Sequence, residues 1–348
     1  MRALFLYTEL SGYFMACINT LSKRIAEVHI VRWPVNREAP FTFSFAENVK
    51  IYERNDYSSR DLIELANSIS PDFIFTSGWI DKGYLSVCRQ FKNRIPTIMG
   101  MDNQWHGTAK QKLMCMLSSF TIHPYFNHIW VSGSPQKTYA QKLGFNNESI
   151  HTGVYCADVD LFSNESSYRI EAEEFPKRLI YVGRYIKAKG LDLLFDAFIE
   201  LQTEENNDWE LWCVGTGDLF DQAIKHPKIK HFGFVQPGEL KTILRKAGVF
   251  VLPSRFEPWG VVVHEMAAAG FPMILSDAVG SHTQFLKSET NGFLFANEEK
   301  TDLKSALKKM MTLSDKSLIE MATASHEIGI SYTPNMWVEK LLKHIIKK

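Results

Sequence analysis

A chain of 348 residues exceeds the length at which one hydrophobic core stops growing, so two domains are expected. With 45% hydrophobic and 22% charged residues and no long Pro-, Ser- or Gly-rich tract, the composition excludes a fibrous or disordered chain. Lys plus Arg and Asp plus Glu both total 39, so no net positive field gathers nucleic acid, and none is expected as a partner.

The first apolar run, 3–7, is interrupted by Glu9 before it reaches signal-peptide length and reads as a first strand. Further runs at 28–32, 73–76, 97–99 and 129–132 follow, with helical spacing at 61–70 and 136–143. Such alternation marks βαβ units and a parallel sheet. No stretch approaches the roughly 20 apolar residues that cross a bilayer, so any membrane contact is expected to be peripheral. Cys17, Cys88, Cys115, Cys156 and Cys213 are odd in number and lack CxxC spacing, which argues against a disulfide framework or zinc site and for a reducing compartment.

A second series of strands is expected at 179–182, 211–214, 231–234, 249–252 and 273–276. The polar, Glu-rich segment 164–177 reads as an interdomain connection, giving domains 1–164 and 165–333. The last segment, 334–348, carries Trp337, Leu341, Leu342, Ile345 and Ile346 at helical spacing and is expected to pack back toward the N-terminal domain. The fold class is therefore α/β, two Rossmann-like domains with parallel sheets facing across a cleft.

In the first domain, Ser11-Gly12 follows the first strand, and Met101-Asp102-Asn-Gln-Trp105-His106-Gly107 follows the 97–99 strand. Asp102 and His106 are candidates for touching a substrate or orienting a hydroxyl; the alternative is a loop that packs Trp105 and solvates its neighbours. Lys110 and Lys112 come next and could meet anionic headgroups or be solvated helix charges. Asp158-Val-Asp160 has the look of an Asp-x-Asp metal clamp, but no metal site is assigned to it. A Rossmann sheet would also suit a nicotinamide oxidoreductase, yet no Gly-x-Gly-x-x-Gly follows the first strand.

The chemistry concentrates in the second domain. In Gly183-Arg184-Tyr-Ile-Lys-Ala-Lys189-Gly190, two cations sit where a strand hands over to a helix, at one edge of a cleft and suited to an anionic group. Gly215-Thr-Gly217-Asp218 and Gly233-Phe234-Val235 end two further strands. In Glu257-Pro258-Trp259-Gly260-Val261-Val-Val-His-Glu265, a sharp loop opens a helix whose first amides form an anion site, with two carboxylates beside it that accept from hydroxyls, which suggests a polyol phosphate ligand. Val279-Gly280-Ser281 is a small-residue turn followed by Gln284, and Asn291-Gly292 reads as a turn alone.

The 253–272 stretch resembles the E-x7-E motif of the retaining glycosyltransferases of family 4, and the Gly-Arg…Lys-Gly stretch resembles the phosphate loop of the same enzymes. The resemblance covers the second half well and the first in outline. It implies the GT-B fold and a retaining, metal-independent hexosyltransferase-like transferase of the polysaccharide type. The donor would be a UDP- or GDP-sugar, with no further cofactor; the acceptor, on the N-terminal domain, would be a glycan or a lipid-linked hydroxyl. Arg184 and Lys189 would bind the diphosphate, and Gly215, Gly233, Phe234 and Val235 would border the base. Glu257 with Pro258, Trp259, Gly260 and Val261 would hold the sugar, and Glu265 the ribose. A cytoplasmic protein, peripheral at the inner face of the plasma membrane, is implied. A non-catalytic sugar-nucleotide-binding protein is the alternative.

Overall fold

The computed structural model of the chain describes residues 1–35, 43–205 and 207–346. They form two units, one of Met1–Cys156 with Thr333–Lys348 and one of Ala157–Tyr332.

The first unit is built on β1 (Arg2–Tyr7), β2 (Glu27–Arg32), β3 (Val49–Glu53), β4 (Phe73–Thr76), β5 (Thr97–Met101), β6 (His128–Val131) and β7 (Ile150–Thr152). All pair in parallel, in the order β3-β2-β1-β4-β5-β6-β7. The central strands are near-continuous apolar runs because helices cover both faces of such a sheet. Phe5 packs edge-on against Phe73, ring centroids 5.8 Å apart, and both are fully buried. β3 and β7 are additional to the strands expected from sequence. Each is a sheet edge, and β3 buries only Val49, so neither carries the apolar signal of a central strand.

The final segment is an α-helix, Pro334–Glu339, that widens into a π-helical turn, Lys340–Ile345. Trp337 stacks on Trp130 at 4.8 Å and donates to the Val154 carbonyl at 2.8 Å, while Lys340 donates to Thr152 O at 2.9 Å. These bonds attach the segment to the first unit.

The second unit holds β8 (Arg178–Val182), β9 (Glu210–Val214), β10 (Ile229–His231), β11 (Val249–Leu252), β12 (Met273–Ser276) and β13 (Gly292–Phe295), ordered β10-β9-β8-β11-β12-β13. In each sheet the chain starts in the middle, runs outward through two neighbours, then returns to the other side of its first strand. That reversal leaves a crevice at the carboxyl ends of the two central strands, the usual ligand position in open α/β sheets. In the second unit these strands are β8 and β11.

Three expectations are corrected here. β10 ends at His231 rather than spanning 231–234, because Gly233 at φ +72° turns the chain out of the sheet. Asn291-Gly292 is more than a turn: buried Asn291 donates to Phe285 O and Ser325 Oγ, and Gly292 opens β13 so close to β12 that a Cβ would lie 1.9 Å from Met273 O.

The third concerns the division of the chain, which falls after Cys156 rather than after 164. Segment 164–177 is no solvated connection. Arg169 within it is fully buried, stacks on the Phe271 ring at 3.8 Å, and donates to the carbonyls of Glu165, Leu244, Ala247 and Ala269. Its polar composition serves the unsatisfied carbonyls at helix ends, which is why composition alone suggests a linker.

Candidate functional site

The site is assembled from the loops that leave β8 and β11. After β8, Gly183 passes close to the ring below it, since a Cβ there would stand 2.6 Å from the Tyr181 hydroxyl. That hydroxyl donates to the Arg184 carbonyl at 2.7 Å and so shapes the turn. Its own pKa is pushed well up by burial, with Cys213, Tyr185 and the Glu257 carboxylate adding and the Arg184 guanidinium opposing. Tyr181 therefore lies in the fields of both Arg184 and Glu257. Arg184 itself is exposed.

The following turn, Lys187–Lys189, ends at Gly190, whose φ of +66° and approach to Pro253 O leave no room for a side chain. This brings the turn against the loop after β11. The Arg255 and Phe256 amides donate to Ala188 O at 2.8 and 3.2 Å. The Arg255 guanidinium spans Lys187 O, a two-pronged contact to Asp192, and Glu298. With the two loops tied in this way, Lys189 Nζ donates to Glu257 Oε2, the side chains keeping only 15% and 13% exposure.

Glu257 is fixed from a third side. It forms a parallel bridge with Val279, its carbonyl accepts from the Gly280 amide at 3.0 Å, and Ser281 donates to the carbonyls of Trp259 and Gly260. Gly260 then caps the helix Val261–Ala268 from the left-handed region at φ 85°, with a Cβ position only 2.9 Å from Glu257 Cγ. The Val261 and Val262 amides stand at the head of this helix, where no intrahelical acceptor precedes them. The Trp259 ring is buried against Phe285, so its side chain belongs to the interior.

Glu265 lies further along that helix. Burial pushes its carboxyl up to about 7, and the nearby Asp158 charge adds to the rise. The preceding residue, His264, is held neutral: burial lowers its pKa to about 4, Nδ1 accepts from the Ala157 amide, and Nε2 donates to Gly329 O. Asp158 caps a short helix by accepting from the Leu161 amide, and its pKa is raised, chiefly by burial, with the charge of exposed Asp160 adding to the rise. No group of three or more His, Cys, Asp or Glu able to hold a metal occurs among the described residues.

At the ends of the strands, the Gly215 amide donates to Gly233 O at 2.7 Å, and a Cβ on Gly215 would lie 2.0 Å from Gly183 O. The ends of β8, β9 and β10 thus converge, with Phe234 and Val235 half-buried beyond them. Sequence reasoning passed over Tyr181, Arg255 and Asp158 as site-shaping groups. Arg255 lies inside the 253–272 stretch, but nothing in its spacing foretells Asp192 and Glu298 as partners.

In the first unit, Asp102 Oδ2 accepts from the Tyr155 hydroxyl at 3.4 Å. The Tyr155 pKa is driven well up, chiefly by burial and then by the Asp102 charge. Trp105 packs on Tyr139, with Lys142 Nζ 4.9 Å above its ring, and the exposed His106 is tied through its amide to Gln111.

Residues 164–325, most of the second unit, match the family described as Glycosyl transferases group 1. The second unit is similar to the group 1 glycosyl transferases. An uncharacterized glycosyltransferase of Methanocaldococcus jannaschii is 33% identical over 131 residues, 35% of this chain and 33% of that protein. A glycogen synthase of Mycobacterium tuberculosis is 32% identical over 142 residues, 39% of this chain and 34% of that one. The chain thus spans about a third of the length of these relatives. Over both units the fold is similar to Anabaena HepE in complex with UDP and glucose, with a TM-score of 0.72 at 14% identity, covering 97% of each chain. Two parallel-sheet Rossmann-like units are the architecture of GT-B structures, which accords with the expected fold class.

Proposed function

We propose that the chain is a retaining glycosyltransferase of family 4 that moves a sugar from a UDP- or GDP-sugar to a hydroxyl of a glycan or lipid-linked acceptor, in surface polysaccharide or glycoconjugate assembly. The observation that carries this reading is the Lys189–Glu257 pair at the switch point between β8 and β11, inside the segment similar to group 1 glycosyl transferases.

Arg184 and Lys189 hold the diphosphate, supplying the positive charge that a divalent ion would otherwise bring. Glu257 and the Pro258–Gly260 backbone hold the sugar, Val261 offers an amide at the helix head, and Glu265 accepts from the ribose. Gly215, Gly233, Phe234 and Val235 border the base. The first unit carries the acceptor, with Asp102 and His106 as its polar groups. In the transfer, the bond from sugar C1 to the diphosphate oxygen breaks and the acceptor oxygen bonds to the same face of C1. The acceptor proton passes to the departing phosphate oxygen, so no protein nucleophile is needed.

A thermal-shift panel of nucleoside diphosphates and their sugars tests the reading, since a ligand that binds only the folded state raises Tm. One nucleotide series is expected to shift it, and product formation to follow with the matching sugar. A shift without turnover on any acceptor would assign a binding protein instead; no shift at all would remove the donor site.

A further inference from the structure

Asp102 follows β5 at the start of segment 102–108, which has no regular secondary structure. Its backbone alone therefore leaves the carboxylate several rotamers, and a second group must choose among them. Tyr155, on the far side of β6, stands by contrast on a fastened backbone. Gly153, at φ +82°, turns the chain out of β7, and its amide donates to Ser132 O at 3.0 Å. The Val154 amide donates to Val131 O at 3.2 Å, the Val154 carbonyl accepts from the Trp337 indole, and Cys156 O accepts from the Cys17 thiol at 4.0 Å. The Tyr155 ring is held as well, edge-on to Tyr13 with centroids 5.5 Å apart.

Sheet order places β6 between β5 and β7, so two strand spacings, roughly 10 Å together, separate the exits that carry Asp102 and Tyr155. A tyrosine spans that gap where serine or threonine would fall short, and its hydroxyl donates to Asp102 Oδ2. That hydroxyl keeps its proton through the neutral range, because burial and then the Asp102 charge push its pKa well up. It is a permanent donor. An ionised carboxylate has about four acceptor positions, so a bond to Tyr155 leaves capacity for a substrate hydroxyl. Both residues keep partial exposure, whereas a bond serving only the core would be closed to substrate.

We propose that Tyr155 is a positioning residue for the transfer reaction: it holds the Asp102 carboxylate by one oxygen in the orientation that accepts from an acceptor hydroxyl. The role rests on the acceptor site proposed above and adds to it a residue that acts through Asp102 alone.

Transfer from UDP-glucose and GDP-mannose to a panel of p-nitrophenyl glycosides tests it, with nucleoside diphosphate Kd measured alongside. Tyr155→Phe keeps the ring on Tyr13 and removes only the donor. Its Tm and nucleotide Kd should be unchanged, while kcat/KM for the acceptor falls about tenfold. In an Asp102→Ala background, followed with enzyme in excess over acceptor, Tyr155→Phe should cost nothing further, because its effect passes through the carboxylate. A merely structural tyrosine would weaken both backgrounds alike, so equal losses in the two overturn the proposal. Full activity in Tyr155→Phe or in Asp102→Ala also overturns it, and each of these results leaves the transferase reading standing. A parent protein that transfers to no member of the panel overturns that reading first, and this role with it.

Discussion

Lys189 reaches Glu257 across 68 residues of sequence, joining the turn after β8 to the loop after β11. If Glu257 holds the donor sugar, its loss should strike transfer harder than nucleotide affinity. Glu257→Ala is expected to lower kcat about a hundredfold or more, with a much smaller change in nucleoside diphosphate Kd. Product assays and titration calorimetry read the two; equal losses in both would place Glu257 in nucleotide binding alone.

If Lys189 holds the diphosphate, Lys189→Ala removes that contact, and it strands the Glu257 carboxylate. Diphosphate affinity should fall by roughly tenfold or more, from the loss of about 1.5–3 kcal/mol of charge-assisted bonding. Stability should fall as well, by about 1–3 kcal/mol. Adding Glu257→Ala to Lys189→Ala should restore much of that stability without restoring affinity, a coupling that a double-mutant cycle measures directly.

The close packing of the two loops depends on Gly190. Its left-handed φ and the Cβ position 2.1 Å from Pro253 O mean that Gly190→Ala must push the Lys189 turn away from the Glu257 loop. A loss of about 2 kcal/mol or more in denaturant unfolding is expected, with transfer impaired in the fraction that folds. Gly238, with nothing within 4 Å of its Cβ position and no positive φ, is the control. Gly238→Ala should be neutral or slightly stabilising.

Arg169→Met should be among the most damaging single changes outside the site. It leaves the carbonyls of Glu165, Leu244, Ala247 and Ala269 buried without their donor. At about 1–3 kcal/mol for each stranded group, a loss on the order of 4 kcal/mol is expected in urea unfolding. Arg169→Lys should rescue little, because one ammonium cannot match a planar fork spread over four acceptors.

Arg169 also shows where sequence reading stops. Central strands such as β1, β4 and β11 are legible because burial on both faces demands an unbroken apolar run. Edge strands β3 and β7 escape, since one side faces away from the core and alternation over so few residues is weak. The glutamates, Arg184, Lys189 and the glycines of the second unit could be named because the strand-to-loop-to-helix stretches that hold them resemble motifs of the family 4 glycosyltransferases. Their partners could not: spacing carries no information that Arg255 clamps Asp192, that Val279 bridges Glu257, or that a Glu-rich stretch hides an arginine among helix ends. Such pairings are decided by which loops the sheet order brings together.

Two adjacent residues on the helix Val261–Ala268 should give opposite pH signatures. Glu265 is raised from 4.5 to about 7, so between these values the folded protein keeps a proton that the unfolded chain has released. Its contribution is fully present below pH 4.5 and lost as pH rises toward about 7. His264 is lowered from 6.5 to about 4, so its contribution is present above 6.5 and lost as pH falls toward about 4. In the parent protein the two slopes oppose each other over most of this window, and Tm should vary little with pH on their account. Glu265→Gln removes one of them: its Tm relative to the parent should climb as pH rises and level off above about 7. A nucleotide whose ribose hydroxyls donate to Glu265 favours the ionised carboxylate, so parent affinity for a nucleoside diphosphate sugar should increase through the same pH range and that increase should vanish in Glu265→Gln. A constant Tm difference between the two proteins from acid to neutral pH would show that Glu265 ionises like an exposed carboxylate, and the ribose contact assigned to it would lose its electrostatic basis.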